Sequence, residues 1–240
     1  MASIASRLID MAGSAFLSGA EVTDVSRPGE HFVGVELRSP AFRSAKWSPG
    51  TKVQIRPERG SAALRTYTPI YWDADEGRTG LLAFVHGDGP ADTWFGQVGA
   101  GARIELTGPR RSLDGPAPGE RIVFVGDESS VALACAFHRA GADAAYLFEA
   151  SDPGALPATL AGLGTAPDAV VVGRPAQPDR AALLDRLREL TAAEAGAYRL
   201  VVTGDAATVL AVRRGVRNFP RPPAKVTGKA YWAAGRRGLD

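Results

Sequence analysis

The sequence is poor in the residues that hold metals and disulfides. Its single cysteine, Cys135, excludes an internal disulfide and any cluster held by four thiolates of this chain. Only three histidines occur (His31, His86 and His138), and none is spaced His-x-x-x-His, so no structural zinc or haem is expected. Any redox chemistry therefore falls to an organic cofactor. No apolar run approaches the roughly 18 residues that a membrane span needs. The first residues, "MASIASRLIDMAGSAF", lack the basic cluster, long apolar core and cleavage site of a secretory signal. They read as a short amphipathic helix, and the cytoplasm is the expected location. A formal net charge of +2 is too small to point to nucleic acid.

What is present is an ordinary soluble composition, 45% apolar and 22% charged, in 240 residues that suffice for two domains. The chain changes character near residues 112–120. Before that point short β-rich runs ("HFVGVELRS", "TKVQIRPE", "LRTYTPIYW", "GLLAFVHG", "ARIELTGP") alternate apolar and polar residues between Pro and Gly turns. That pattern predicts an antiparallel barrel or sandwich. "LDGPAPGE" at 113–120 reads as a hinge. Beyond it, "RIVFVGDE", "AAYLFEA", "DAVVVGR" and "YRLVVTGD" are strands dominated by Val, Leu, Ile and Phe. Helical patterns lie between and after them: "SSVALACAFHRAG", "PDRAALLDRLREL" and "AATVLAVRRGVRN". The expected fold is β + α/β: a β-barrel domain at 1–114, then a doubly wound parallel α/β domain at 115–240.

Three stretches carry candidate chemistry. In "RTYT" the alternation of a strand puts Arg65 and Tyr67 on one face, and Thr66 and Thr68 on the other. On its own this is equally an edge strand with a snorkelling arginine. "HGDGPADTW" places two glycines before a helix expected to start near Ala91, where free N–H groups favour phosphate; a tight strand-to-helix turn reads the same way. "GDES" ends the first α/β strand, where Asp127 and Ser129 serve as helix caps, as site residues, or both. The G-x-G-x-x-G fingerprint is absent there.

Taken in order, "RTYT", "HGDGPADTW", "GDES", "TGDAATVLAVRRGVR" and "KAYWAAGRRG" resemble the siderophore-interacting protein family. These are the bacterial FAD-dependent ferric-siderophore reductases related to the ferredoxin–NADP⁺ reductase superfamily. The resemblance runs from about residue 20 onwards. It implies an FAD-binding barrel, an NAD(P)H-binding-like second domain and reduction of Fe(III)-siderophore to release Fe(II). Arg65 would then bind the FAD pyrophosphate, and Tyr67 would pack against the isoalloxazine. Thr68 would bond near flavin N5, making Tyr67 and Thr68 the catalytic pair, with Thr66 completing the cofactor strand. His86, Gly87, Gly89, Pro90 and Ala91 would wrap the pyrophosphate and adenosine, with Trp94 as core packing behind them. Asp127, Glu128 and Ser129 would lie near the flavin and the incoming nicotinamide.

Glu149 stands where a dinucleotide ribose acceptor is expected, and Arg174 where a 2′-phosphate could be met; each is otherwise a solvated surface charge. The C-terminal stretch gathers eight cations, from Arg213 to Arg237, against one acid, Asp240. Such a surface concentrates anions, so an anionic ferric siderophore is the expected partner, with a ferredoxin possible. Lys229, Arg236 and Arg237 are the candidate substrate contacts. Two departures bear on these sites. The family's Gly-Tyr-Trp-Arg is Ala230-Tyr231-Trp232-Ala233 here, and "VALA" replaces the Pro-Ala after "GDES". Two alternatives remain: a flavin reductase with a flavin, quinone or redox-protein acceptor, and a non-catalytic flavin or nucleotide sensor.

Overall fold

The computed structural model describes residues 17–175 and 180–236, and the chain divides into two compact units, Met1–Gly115 and Pro116–Asp240. The amphipathic helix expected at the N-terminus lies outside the described residues, as does Arg237.

The first unit is an antiparallel curled sheet. Its strands are β1 (Ser18–Gly29), β2 (Phe32–Arg38), β3 (Thr51–Arg56), β4 (Arg65–Tyr67), β5 (Pro69–Asp73), β6 (Arg78–Phe84) and β7 (Arg103–Leu106), in the order β4-β3-β7-β1-β2-β6-β5. A short β8 (Arg110–Arg111) pairs with β3 off this path. One helix, α1 (Pro90–Gln97), is inserted between β6 and β7. The alternation read from the sequence is what builds the core: in β3, Val53 and Ile55 are fully buried while Lys52 and Gln54 point away. They meet Val22, Leu37, Leu81, Phe95 and Leu106 in one apolar cluster.

"LRTYTPIYW" forms two strands. β4 pairs with β3 (Val53 opposite Tyr67, Ile55 opposite Arg65), and β5 pairs with β6 from Pro69 opposite Leu81. Pro69 has no N–H, so a ladder position at the strand's first residue suits it. The chain changes partner at Thr68, the one residue between β4 and β5, which stand at opposite ends of the strand order.

The second unit is a five-stranded parallel sheet ordered β11-β10-β9-β12-β13. Its strands are β9 (Arg121–Asp127), β10 (Asp143–Ala150), β11 (Val170–Gly173), β12 (Arg199–Asp205) and β13 (Lys225–Trp232). Four helices connect them: α2 (Val131–Arg139), α3 (Leu156–Gly162), α4 (Ala181–Ala192) and α5 (Ala206–Gly215). The central strand shows why both sheet faces are covered. Val123 and Val125 pack with Leu183 and Leu187 of α4 and Val212 of α5. Phe124, on the opposite face by alternation, meets Phe137 of α2 edge to face at 6.1 Å. The strand order reverses between β9 and β12, so the carboxyl ends of those two strands flank the switch point where such sheets bind ligands.

Four elements were not read from the sequence: β1, β8, α3 and β13. The "KAYW" block, expected within a basic tail, is paired into the sheet, with Lys229 opposite Thr203 and Trp232 opposite Asp205. Among the described residues no helix is long and apolar enough to cross a membrane.

Candidate functional site

In the first unit the register fixes the faces of β4. Arg65 and Tyr67 stand opposite Ile55 and Val53, so both share the core-facing side, and Thr66 is exposed on the other. Tyr67 packs on Phe95 of α1 with ring centroids 5.0 Å apart, and Trp94 meets Phe95 edge to face at 4.9 Å. Trp94 is therefore a packing residue. Burial pushes the Tyr67 phenol far above its ordinary value, the Asp92 carboxylate adds to this, and the Arg65 guanidinium opposes it. The phenol stays neutral. Arg65 donates from Nη1 to the Leu64 carbonyl at 2.9 Å.

The "HGDGPADTW" loop leads into α1 with Pro at its first position and Gly89 as N-cap, and no side chain caps the N–H groups there. A Cβ added at Gly87 or Gly89 would meet only Asp92 Oδ2, at 3.4 and 3.1 Å. The His86 N–H donates to Asp92 Oδ1 at 3.4 Å. Ala91 is buried under the loop. An uncapped helix start and two open glycine faces are backbone features of a kind that suits a phosphate, and the strand that carries Arg65 meets this helix through Tyr67 and Phe95. Asp92, which the sequence reading passed over, is a negative charge against both glycines.

In the second unit the switch point is filled by carboxylates. Asp127 ends β9. Its Oδ1 accepts from Ser129 N at 2.9 Å, and its Oδ2 accepts from Asp205 N at 2.9 Å and from Trp232 Nε1 at 2.7 Å. Asp127 thus caps the 3-10 turn Glu128–Ser130, as its residue type allows. Gly204, at φ 110°, lies against the Asp127 carboxylate, and a Cβ there would run into it. Glu128 accepts from Ser151 N and Oγ and pairs with Arg174 Nη2 at 2.5 Å. Glu149 accepts from Thr208 Oγ1 at 2.9 Å, with Arg180 Nε 3.2 Å and Arg174 Nε 3.8 Å away. Arg180 also donates to Asp205 Oδ2 at 2.8 Å and to Thr208 Oγ1 at 2.7 Å.

Glu149 and Arg174 are consequently not solvated surface charges. Glu149 is 1% exposed, and the Arg174 side chain is 20% exposed with its guanidinium 5.3 Å from the centre of the Trp232 ring. Four buried carboxylates (Asp127, Glu128, Glu149 and Asp205) face two guanidiniums. Burial raises Asp127 against the bonds from Ser129 and Trp232, and it raises Glu149 against the Thr208 bond and the charge of Arg180. Glu128 is also buried, but its Ser151 bonds and Arg174 outweigh burial and lower it. The sequence reading missed Arg180, Asp205, Thr208 and Ser151. The one signal available was the acid at the end of each of β9 and β12.

Among the substrate candidates, Lys229 lies on β13 opposite Thr203, and Arg236 is exposed after a turn closed by its own N–H on Ala233 O at 3.1 Å. From 206 to 236 there is no Asp or Glu and seven Lys or Arg. Arg213, Arg214 and Arg217 are exposed on and just beyond α5, beside the exposed Leu210.

Comparison with known proteins follows these two units. Residues 16–113 match the family model of the siderophore-interacting FAD-binding domain. The crystal structure of the siderophore-interacting protein SipS from Aeromonas hydrophila superposes with a TM-score of 0.71 at 19% identity, covering 92% of this chain and 93% of that one. A siderophore utilization protein from T. fusca gives a TM-score of 0.72 at 22% identity, over 93% and 95% of the two chains. Phthalate dioxygenase reductase, described as a modular structure for electron transfer from pyridine nucleotides to [2Fe-2S], gives 0.73 at 14% identity, over 93% of this chain and 71% of that one. At these identities the structures establish the fold. No curated protein matches the sequence.

Proposed function

We propose, from a first unit that carries a siderophore-interacting FAD-binding domain, that the chain is an FAD-dependent reductase of ferric siderophores. Its electrons come from NADH, NADPH or a redox protein. One observation carries the reading: Arg65 and Tyr67 share a face beside α1, whose N-terminus no side chain caps and whose approach is two open glycines. In this reading Arg65, Gly87, Gly89 and the start of α1 hold the pyrophosphate. Tyr67 offers its ring to the isoalloxazine, with Phe95 fixing the ring from behind. Thr68, at the change of pairing, bonds near N5. Bound FAD supplies a two-electron entry and one-electron exits, which ferric iron requires. Reduced iron is held less tightly by hard oxygen ligands, so the product is released. Lys229, Arg236 and Arg237 draw in an anionic chelate, and the setting is the cytoplasm.

The test is the visible spectrum of the purified protein, first alone and then, without oxygen, after NADH, NADPH and a ferric siderophore in turn. A yellow protein bleached by a pyridine nucleotide and restored by the chelate supports the proposal. A colourless protein that takes up no FAD refutes it.

The carboxylates of the second unit favour a narrower reading of the donor. Arg174 pairs with Glu128 and stands near Asp127 and Glu149. A 2′-phosphate brought there would meet a cation already engaged and an excess of buried acid, so NADH is preferred to NADPH. Equal bleaching rates at equal, subsaturating concentrations of the two would refute this.

A further inference from the structure

The outer surface of the first unit holds a cavity with no part in the flavin site. It has a volume of about 300 Å³ and is lined by Gly19, Arg38, Arg56, Arg59 and Arg103, with Glu21 and Glu105 between them. Alternation along β3 separates it from the flavin residues. Ile55, opposite Arg65, points into the core, so the adjacent Arg56 belongs to the other face of the sheet.

The floor is rigid. Arg56 is 4% exposed and is held from β7 by Glu105, to which its Nε donates at 2.7 Å. Gly19 stands opposite Glu105 in the register, and a Cβ added there would meet nothing within 4 Å. The missing side chain is what opens the hollow. The walls are exposed cations in long pairs: Arg103 lies 3.7 Å from Glu21 and Arg38 3.5 Å from Glu76, all four side chains more than half exposed. Such pairs contribute little and re-form around a stronger partner at small cost.

Four arginines against two glutamates leave two positive charges in excess within the lining. Guanidinium forks match planar or tetrahedral oxyanions bidentately. A hollow of this size holds several times the ~30 Å³ share of one water. We propose that this cavity binds a compact anion of two or three charges, its oxyanion groups carried by a phosphate monoester or by a small di- or tricarboxylate. The proposal does not rest on the flavin reading.

The experiment is isothermal titration of the full chain, with FAD added, against glycerol phosphate in one arm and citrate in the other, at low salt. One-to-one binding of either anion with Kd below about 1 mM is expected, and the arm that binds identifies the phosphate or carboxylate source. Gly19→Leu fills the hollow from a face where nothing obstructs it and abolishes binding. Arg59→Ser with Arg103→Ser, both at exposed positions, weakens it roughly tenfold or more, the scale of losing a charge-assisted contact. Arg65→Ala leaves it unchanged, which separates this site from the pyrophosphate cradle. Absence of saturable binding in both arms overturns the proposal. So does binding that survives Gly19→Leu folded to the wild-type circular dichroism spectrum; should that variant not fold, full binding by the double arginine variant overturns it.

Discussion

Arg180→Met isolates the electrostatics of the switch point. Arg180 is 8% exposed and holds three groups: Asp205, Glu149 and the Thr208 hydroxyl. Methionine keeps much of the stem's volume but removes the charge, leaving Glu149 with Arg174 Nε at 3.8 Å as its remaining cation. Removing one partner of a buried ion pair costs about 3–5 kcal/mol, because the other charge stays desolvated. The loss also depends on pH. Burial already raises Glu149 above its usual 4.5, and without Arg180 it rises further. A carboxyl whose folded pKa lies above its unfolded one makes the folded state bind more protons between the two values. Stability is therefore retained at low pH and lost as pH rises through the folded pKa. The deficit relative to wild type should be larger at a pH above the raised Glu149 value than at an acid pH below its usual 4.5.

Urea unfolding followed by far-ultraviolet circular dichroism suits the test, since four of the five α-helices among the described residues lie in the second unit. With m near 1–3 kcal/mol/M, a loss of this size moves the midpoint by roughly 1 M or more. Adding Glu149→Gln to Arg180→Met should restore more than ~1 kcal/mol, since it removes one of the stranded charges. A deficit below ~1 kcal/mol at the higher pH, or the same deficit at both, would show that the cluster is not held as a network of charges.

The remaining expectations concern single side chains. Arg65→Ala should give protein purified without FAD, and Tyr67→Ala should weaken FAD binding or shift its absorption; if both stay fully yellow with unchanged spectra, β4 is not the flavin strand. Asp92→Asn removes the carboxylate that a Cβ at Gly87 or Gly89 would meet and should tighten FAD by a few-fold to tenfold, the scale of ~1 kcal/mol for charges about 4 Å apart in a wet site; unchanged or weaker affinity by fluorescence titration refutes the placement of the pyrophosphate. Gly204→Ala forces a Cβ at φ 110° into the Asp127 carboxylate. It should destabilise the chain by at least ~1–3 kcal/mol in urea, with an unchanged midpoint as the contrary result.

The strands that sequence periodicity identified are those whose inward residues are large and regularly spaced. In β3 Val53 and Ile55 alternate with Lys52 and Gln54, and β9 and β12 are buried on both faces. β1 escaped because only Ala20 and Val22 are buried along its twelve residues, and its register is interrupted near Val22 and again between Ser26 and Gly29. It is held by its neighbours β2 and β7, and pairing of that kind leaves no apolar period in the strand itself. β13 escaped for a related reason. Every residue of it is at least partly exposed, and its lysines at 225 and 229 dominated the reading as a basic tail.

The two candidate sites were legible to different degrees for a physical reason. A phosphate cradle is built from backbone, and backbone that must approach a ligand shows itself as glycine and proline in sequence, so Gly87, Gly89 and Pro90 could be proposed from sequence alone. A buried charge network is built from side chains brought together from β9, β10, α5 and the segments after β10 and β11, and no local spacing links Glu128 to Arg174 or Glu149 to Arg180. Its members looked like surface charges because most such residues are. What makes them exceptional is mutual burial at the one place where the strand order reverses, together with Gly204, whose bare φ 110° backbone admits the Asp127 carboxylate. The acid excess there acts on any ligand through its charge: a neutral or cationic group is admitted at less cost than a phosphate. A 2′-phosphate is therefore the part of a dinucleotide that such a place would reject.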